Sequence, residues 1–528
     1  MCKQLVTIIN IIFVIGLFTH TNVLASEVKP NIVILYADDM GSGDLTSFNQ
    51  NSKIPTPNLD QLAAQGMSFT DAHSSSGICS PSRYALLTGR YHWRKFHSIV
   101  KSFGPSVFAD ERLTLPEMLQ QKGYTTAAIG KWHLGWNWDA IRKDARPKNG
   151  VNLGVSHEDF DWSKAIPDGP LDHGFDYYFG DTVINFPPYV WIENDRVTEV
   201  PDTMVDARLW KNKEGKMEYR KGPMITGWDP YENIPMTTQK GIDYIKKQAK
   251  GDKPFFLYFA YPSPHAPIIP NDEFDNTSKA GPYGDLMVET DDSIGQLLTA
   301  LNEAGIADNT LVIFSSDNGP ENYAYLRDEK FDHWSSFPYR GLKRDIYEGG
   351  HRVPMIVRWP RKVLMNSNTD ELVSQIDIMA TLASLVGFEL PNSAAEDSYD
   401  LLPLWTGQSK RSTRDSIIHN TYENSYAIRS HDWSLIAAKT GNHNGRLDRF
   451  NYADWQKRHG YRTDDNEKGQ LFDIKNDRGQ RHNVIEKHPE KAEELKTLLQ
   501  KIRLQGYSRP TEHNIDASNF KKVTEKIR

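Results

Sequence analysis

The residues of this chain that could do chemistry fall in short polar clusters placed directly after apolar runs. Asn31 to Ala37 (NIVILYA) is continuously apolar and ends in Asp38-Asp39. Two adjacent carboxylates after a buried strand are costly unless a cation pairs with them. Tyr124 to Ile129 runs into Gly130-Lys131-Trp132-His133, and Lys253 to Ala260 delivers Tyr261-Pro262-Ser263-Pro264-His265. Thr310 to Phe314 ends in Ser315-Ser316-Asp317-Asn318. Asp38, Asp39, Asp317 and Asn318 form the hard-oxygen set that a Ca²⁺ site uses. With no Cys or His in that set, zinc is the poorer match. Arg83, Lys131 and Lys343, with His133 and His265, add positive donors. A divalent cation beside several Arg and Lys donors suits a tetrahedral oxyanion, either sulfate or phosphate.

Cys79 heads the stretch Cys79-Ser80-Pro81-Ser82-Arg83, and Gly89 is placed to end a short helix that starts there. A helix N-terminus collects partial positive charge and favours anions. A lone cysteine is more often a buried structural residue, but its compartment argues otherwise. Lys3, the apolar run Leu5 to Phe18 and Val23-Leu24-Ala25 read as a signal peptide over residues 1–25. The run is too short and interrupted for a membrane span. The expectation is an exported protein, periplasmic or secreted, without stable membrane insertion. Loss of Cys2 with the signal leaves Cys79 as the sole cysteine in an oxidising compartment, which marks a reactive or modified residue. The net charge of −7 speaks against a nucleic-acid binder relying on bulk positive charge.

The elements that must position these residues alternate between strand and helix. This predicts an α/β fold: a large mixed, mostly parallel sheet sandwiched by helices, with the site beyond the strand C-termini. Thr114-Leu115-Pro116-Glu117 is a capping-box pattern, and Ile294, Leu297, Leu298 and Leu301 mark one face of a long helix. Residues 136 to 230 read as an excursion of loops over the sheet edge. Trp93, Trp136, Trp138, Phe186, Tyr189 and Trp191 could form a sugar-stacking wall there, against the plainer alternative that each packs the loops onto the core. From about residue 410 the pattern shifts to a hairpin (Tyr426 to Arg429, Ser434 to Lys439), a strand at Leu471 to Ile474 and an amphipathic helix, Pro489 to Arg503. This predicts a catalytic domain over 26–405 and a smaller C-terminal α+β domain, an antiparallel sheet plus helix, with a tail, over 406–528.

Taken together, the motifs resemble those of type I, formylglycine-dependent sulfatases, the arylsulfatase-like family of the alkaline phosphatase superfamily. Cys79-Ser-Pro-Ser-Arg83 matches the family's C-x-P-x-R modification motif, and Leu87-Thr-Gly-Arg90 continues it. Gly123 to His133, Asp38-Asp39, the Ser-Pro-His265 loop, Asp317-Asn318-Gly319 and Gly341-Leu-Lys343 follow in family order. The resemblance implies that a formylglycine-generating or anaerobic sulfatase-maturing enzyme oxidises Cys79 to Cα-formylglycine, which works as its hydrate. It implies that Asp38, Asp39, Asp317, Asn318 and residue 79 hold Ca²⁺. Arg83 then favours the attacking alkoxide of residue 79, Lys131 and Lys343 neutralise sulfate oxygens, His265 protonates the leaving alcohol and His133 takes the final proton. His173, Trp93, Arg94 and Trp191 are candidate substrate contacts. The expected substrate is a sulfated oligo- or polysaccharide, with an algal galactan such as carrageenan first and a host glycosaminoglycan second. The rival readings are a phosphodiesterase or phosphonate monoester hydrolase of the same fold, and a catalytically dead carbohydrate-binding relative.

Overall fold

The computed structural model describes residues 29–143, 155–206, 210–215, 219–422, 424–444, 452–461 and 465–509. The predicted signal segment, with Cys2, and the polar tail beyond Arg509 lie outside the described residues. The apolar runs form a ten-stranded sheet. Its order is Ser367–Thr369, Met67–Phe69, Met355–Arg358, Thr310–Ser316, Asn31–Ala37, Phe255–Ala260, Thr125–Gly130, Tyr177–Gly180, Ile192–Glu193 and Arg196–Val197. The five strands from Thr310–Ser316 to Tyr177–Gly180 run parallel, and antiparallel pairs flank them on both sides. Central parallel strands are covered on both faces, which is why they read as unbroken apolar runs. Alternate residues of Asn31–Ala37 serve two cores. Ile32, Ile34 and Tyr36 join one face, and Val33, Leu35 and Ala37 join the other. The second face is covered by the helices Asn233–Gln248 and Gly281–Glu303. Helix Leu115–Gln121 starts at the expected capping box: Thr114 Oγ1 accepts from Glu117 N at 3.3 Å, and Thr114 N donates to Glu117 Oε2 at 2.8 Å.

A four-stranded antiparallel sheet, Ser416–Asn420, Tyr426–Ser430, Trp433–Ile436 and Gln470–Asp473, packs against the helix Pro489–Gln505. Its apolar face is not self-contained. Ala85, Tyr91, Trp93, Leu372 and Ile376 of the larger part belong to the same cluster as Ile417, Ile428, Leu435, Leu495 and Leu499. Arg414 crosses the seam, donating from Nε to Asp377 Oδ2 at 2.8 Å and from Nη2 to Asp377 Oδ1. Both partners are fully buried. Among the described residues no helix is long and apolar enough to cross a membrane.

Removing one partner of a buried ion pair strands the other charge and costs about 3–5 kcal/mol. Asp377→Ala should therefore lower the unfolding free energy of the whole chain by that order, read as a fall in the denaturant midpoint. An unchanged midpoint in chemical unfolding would show that the seam does not carry stability.

Candidate functional site

Cys79 is the first residue of a helix, Cys79–Thr88, and every residue of that helix is buried. Pro81 sits in its first turn, where backbone N–H groups lack intrahelical partners in any case, and Gly89 ends it at φ +63°. The lead-in needs Gly77. A Cβ there would lie 2.9 Å from the Asp345 carbonyl oxygen, and the Gly77 carbonyl accepts from Arg344 N at 2.7 Å.

Four strand ends close around this helix start. Asp38 and Asp39 follow Asn31–Ala37, Lys131 follows Thr125–Gly130, His265 follows Phe255–Ala260, and Asp317-Asn318 follow Thr310–Ser316. Asp39 and His133 both adopt left-handed backbone, at φ +67° and +54°, which turns the chain sharply at the rim of the sheet. Arg83 Nη2 and Nε donate to Asp317 Oδ2 at 2.8 and 3.0 Å, and Nη2 lies 3.6 Å from Asp38 Oδ1. Lys131 Nζ pairs with Asp38 Oδ2. Lys343 Nζ pairs with Asp39 Oδ2 at 2.7 Å, and His265 Nε2 lies 3.9 Å from the same oxygen. Cys79 Sγ is 3.6 Å from Asp38 Oδ1. In a converted residue 79, that sulfur position stands in for a hydroxyl of the hydrated aldehyde.

The residues present fit a hard cation. Asp38, Asp39, Cys79 and His265 bring ligand atoms within 4.8 Å of one another. Asn318 Nδ2 donates to Asp39 Oδ1 at 2.6 Å and to the Gly319 carbonyl at 2.9 Å. Both partners are acceptors, so the amide orientation is fixed. Asn318 Oδ1 is thereby left buried with no partner, as an oxygen ligand in waiting.

The electrostatics follow from burial of the whole cluster. Burial works to raise the pKa of Asp38, but Lys131, Arg83 and Lys343 outweigh it and hold it below its ordinary value. Burial pushes Asp39 up to about 7, against Lys343. Burial and then the charge of Asp317 push the Cys79 thiol up, so the unmodified residue is not set up as a thiolate nucleophile. Burial, reinforced by Lys343 and Lys131, holds His265 well below the usual histidine range. His133 is lowered for the same reasons, with Lys131 and Arg83 as neighbours. His133 Nε2 meets the Val100 carbonyl at 3.0 Å, which leaves Nδ1 buried and unpartnered.

The four proposed substrate contacts are taken up by packing. Trp93 stacks on Tyr91 and meets Tyr426 edge-on, and Arg94 forms a two-bond pair with Asp397, both at 2.8 Å. These two residues follow the far end of the Cys79 helix and belong to the seam. His173 Nε2 is held by Asp168 at 2.8 Å and Ser106 at 3.2 Å, with its ring 4.3 Å from that of Phe108. Trp191 is half-buried between Phe179 and Trp228. Trp136, Trp138, Phe186 and Tyr189 are all buried as well, in line with the plainer alternative that each packs the loops onto the core. One residue escaped sequence reading. Glu321 lies 3.8 Å from Lys343 Nζ and binds Arg344 at 2.5 and 2.8 Å, which anchors the Lys343 loop. Its only signal was a charge just after Gly319-Pro320, close behind Asp317-Asn318.

With this geometry in place, the comparisons with known proteins decide the family. The sulfatase family profile matches residues 30–388, and a second, "N-sulphoglucosamine sulphohydrolase, C-terminal", matches 341–505. The chain belongs to the sulfatase family. It is an enzyme that hydrolyses sulfate esters. This sulfatase is 32% identical over 508 residues to an N-acetylgalactosamine-6-O-sulfatase of Bacteroides thetaiotaomicron, covering 90% of this chain and 93% of the relative. It is 35% identical over 383 residues to the mouse N-acetylgalactosamine-6-sulfatase, covering 71% of this chain and 66% of that one. A solved Bacteroides thetaiotaomicron sulfatase, from work on the metabolism of multiple glycosaminoglycans, superposes with a TM-score of 0.74 at 30% identity, covering 90% of this chain and 99% of that one. Ps i-CgsB in complex with k-i-k-neocarrahexaose, at 22% identity and a TM-score of 0.66 over 94% of this chain and 98% of that one, shares the fold.

Burial pushes the pKa of Asp39 up to about 7, against Lys343, so a divalent cation binding there would compete with a proton. Cation affinity should fall as the pH drops below this point and level off above it, with proton release on the acid side only. Titration calorimetry in buffers of different ionisation enthalpy reads both, and a flat affinity across this range counts against Asp39 as a ligand. Lys131→Ala should lower kcat/KM by roughly 10²–10³ if its ammonium stabilises a transition-state oxyanion. Steady-state kinetics with an intact fold, checked by circular dichroism, measures it.

Proposed function

We propose that this sulfatase is an exported enzyme that removes 6-sulfate from N-acetylgalactosamine-containing glycosaminoglycan fragments, using a formylglycine made from Cys79 and a Ca²⁺ ion. The observation that carries the reaction is the convergence of Arg83, Lys131 and Lys343 on carboxylates beside residue 79. The substrate rests on the N-acetylgalactosamine-6-O-sulfatase relative matched over nearly its full length. That match ranks the glycosaminoglycan above the algal galactan expected from sequence, since the carrageenan-bound structure shares only the fold. The C-x-P-x-R motif supports conversion by a maturing enzyme, and the N-terminal apolar segment supports export.

When present, the hydrated aldehyde supplies a hydroxyl nucleophile and a second hydroxyl for releasing sulfate, and the cation lowers the pKa of the first. Asp38, Asp39, Asp317 and the free Oδ1 of Asn318 would hold the cation. The protein's own groups do the rest. Lys131 and Lys343 offer N–H donors to sulfate oxygens, and burial keeps water from competing with them. His265 Nδ1 donates to the Ala266 carbonyl at 2.6 Å, so Nε2 is the atom that carries and delivers a proton. A bound sulfate monoester is anionic and raises the pKa of His265, against burial and Lys343, which readies it to protonate a sugar alcohol. His133 presents the lone pair of Nδ1 and is arranged to accept a proton.

A panel of sulfated oligosaccharides tests the reading. Free sulfate should be released fastest from 6-sulfated N-acetylgalactosamine substrates, and slower or not at all from carrageenan oligosaccharides. Cys79→Ala should abolish release, and mass spectrometry of the Cys79 peptide should show the aldehyde. Release from carrageenan alone overturns the substrate. Turnover of an aryl phosphate diester but no sulfate ester, with residue 79 converted, overturns the reaction.

A further inference from the structure

A second constellation lies beside the loop that leads to Cys79, at the seam with the C-terminal sheet. His73 ends the short strand Ala72–His73, His351 ends the helical turn Glu348–His351, and His419 lies in the strand Ser416–Asn420. All three are buried, at 2% exposure or less, and each offers a ring nitrogen within 4.8 Å of the others. None of them belongs to the oxyanion site.

Hydrogen bonding fixes two of the tautomers. His73 Nε2 lies 2.7 Å from Asp71 Oδ1. The Asp71 carboxylate is paired with Arg352 at 3.1 Å and with Arg429 at 2.9 Å. A carboxylate only accepts, so Nε2 of His73 carries the hydrogen. His351 Nε2 lies 3.2 Å from the Ile346 carbonyl oxygen, and the same reasoning applies. The Nδ1 atoms of the two rings therefore face each other, only 3.0 Å apart. Two acceptors at that distance repel unless a positive centre is shared between them. One ring nitrogen tied to a carboxylate or carbonyl and the other free is the orientation found in metal-ligating histidines.

His419 supplies the independent observation. Neither of its ring nitrogens has a hydrogen-bond partner. The Ser74 backbone lies near the ring but outside hydrogen-bond geometry. Its ring stacks on His351 at 3.5 Å and 11°. Parallel rings cannot both aim an in-plane lone pair at one ion, so His419 must turn out of the stack to bind. It has no hydrogen bond to lose in turning. The carboxylates of Asp71 and Glu348, 2.7 and 4.0 Å from His73 Nε2, supply countercharge, while Arg352 and Arg429 balance them when no ion is bound.

We propose that His73, His351 and His419 form a binding site for one divalent transition ion of borderline softness, with Zn²⁺ the best match, separate from the catalytic cation. Three imidazoles with a fourth position open to water suit zinc. The ion would tie the larger part of the molecule to the C-terminal sheet. It would also steady the approach to residue 79, because Ser74 N and Oγ both donate to the His351 carbonyl, at 2.9 and 3.3 Å. A proton shared between the two Nδ1 atoms is the competing account; it explains the pair but leaves His419 unexplained.

Chelator-stripped full-length protein, held in excess Ca²⁺ to fill the oxygen-ligand site, is titrated with Co²⁺ and then with Zn²⁺. The expected result is one equivalent of Co²⁺ with the visible absorption of a histidine-bound ion, displaced by Zn²⁺, and a melting temperature that rises with Zn²⁺ concentration. His351→Gln and His419→Gln should lose the band and the Zn²⁺-dependent rise, while Asp317→Asn should keep both. No band from the unsubstituted protein overturns the proposal and leaves the shared proton, whether or not the variants fold. Equal uptake by the histidine variants overturns it too.

Discussion

Three carboxylates and three cations are sealed from water at one end of the central sheet, and none of them is cheap to bury alone. Asp38, Asp39 and Asp317 are at most 1% exposed as side chains, and Arg83, Lys131 and Lys343 at most 5%. Each charge must find its opposite within a few ångströms, so the elements that carry them have to arrive in register. The parallel strands give that register, because neighbouring chains end at the same level. Arg83 reaches in from the Cys79 helix and is braced by the hydroxyl of Tyr258 at 3.3 Å and the ring of Tyr36. Tyr36 comes from the strand that delivers Asp38 and Asp39, and Tyr258 from the strand that leads to His265.

The same pairing explains how the pocket can receive an anion. The lysines that neutralise Asp38 and Asp39 are the donors available to a sulfate group. With a cation on the carboxylates, their hydrogen bonds can be redirected without exposing a bare charge. On the proposed reading the site stays electrically matched both before and after its ligands arrive.

Much of this was legible in the sequence, for a definite reason. A strand covered on both faces leaves an unbroken apolar run, and the first polar residues after it are the ones the sheet edge presents, so Asp38, Lys131, His265 and Asp317 could be placed together. The aromatic and basic residues of the excursion could not be read the same way. Trp93 is committed by Tyr426 and Arg94 by Asp397, partners far away in sequence, and composition does not say which face of a loop side chain meets solvent. Glu321 was hidden because its importance lies in binding Arg344, beside a lysine rather than at a strand end. The cluster of His73, His351 and His419 was invisible for the same reason, since three separate elements supply one residue each.

The shared apolar cluster at the seam bears on how such a chain can change over generations. Ala85 lies in the helix that Cys79 begins, and it packs in the same cluster as Ile417 and Leu495. The change of composition near residue 405 therefore marks a change of architecture and not a cut line. Recombination there would hand the Cys79 helix a foreign partner surface. Exchanging the C-terminal piece alone would leave the apolar face behind that helix without its matching side chains.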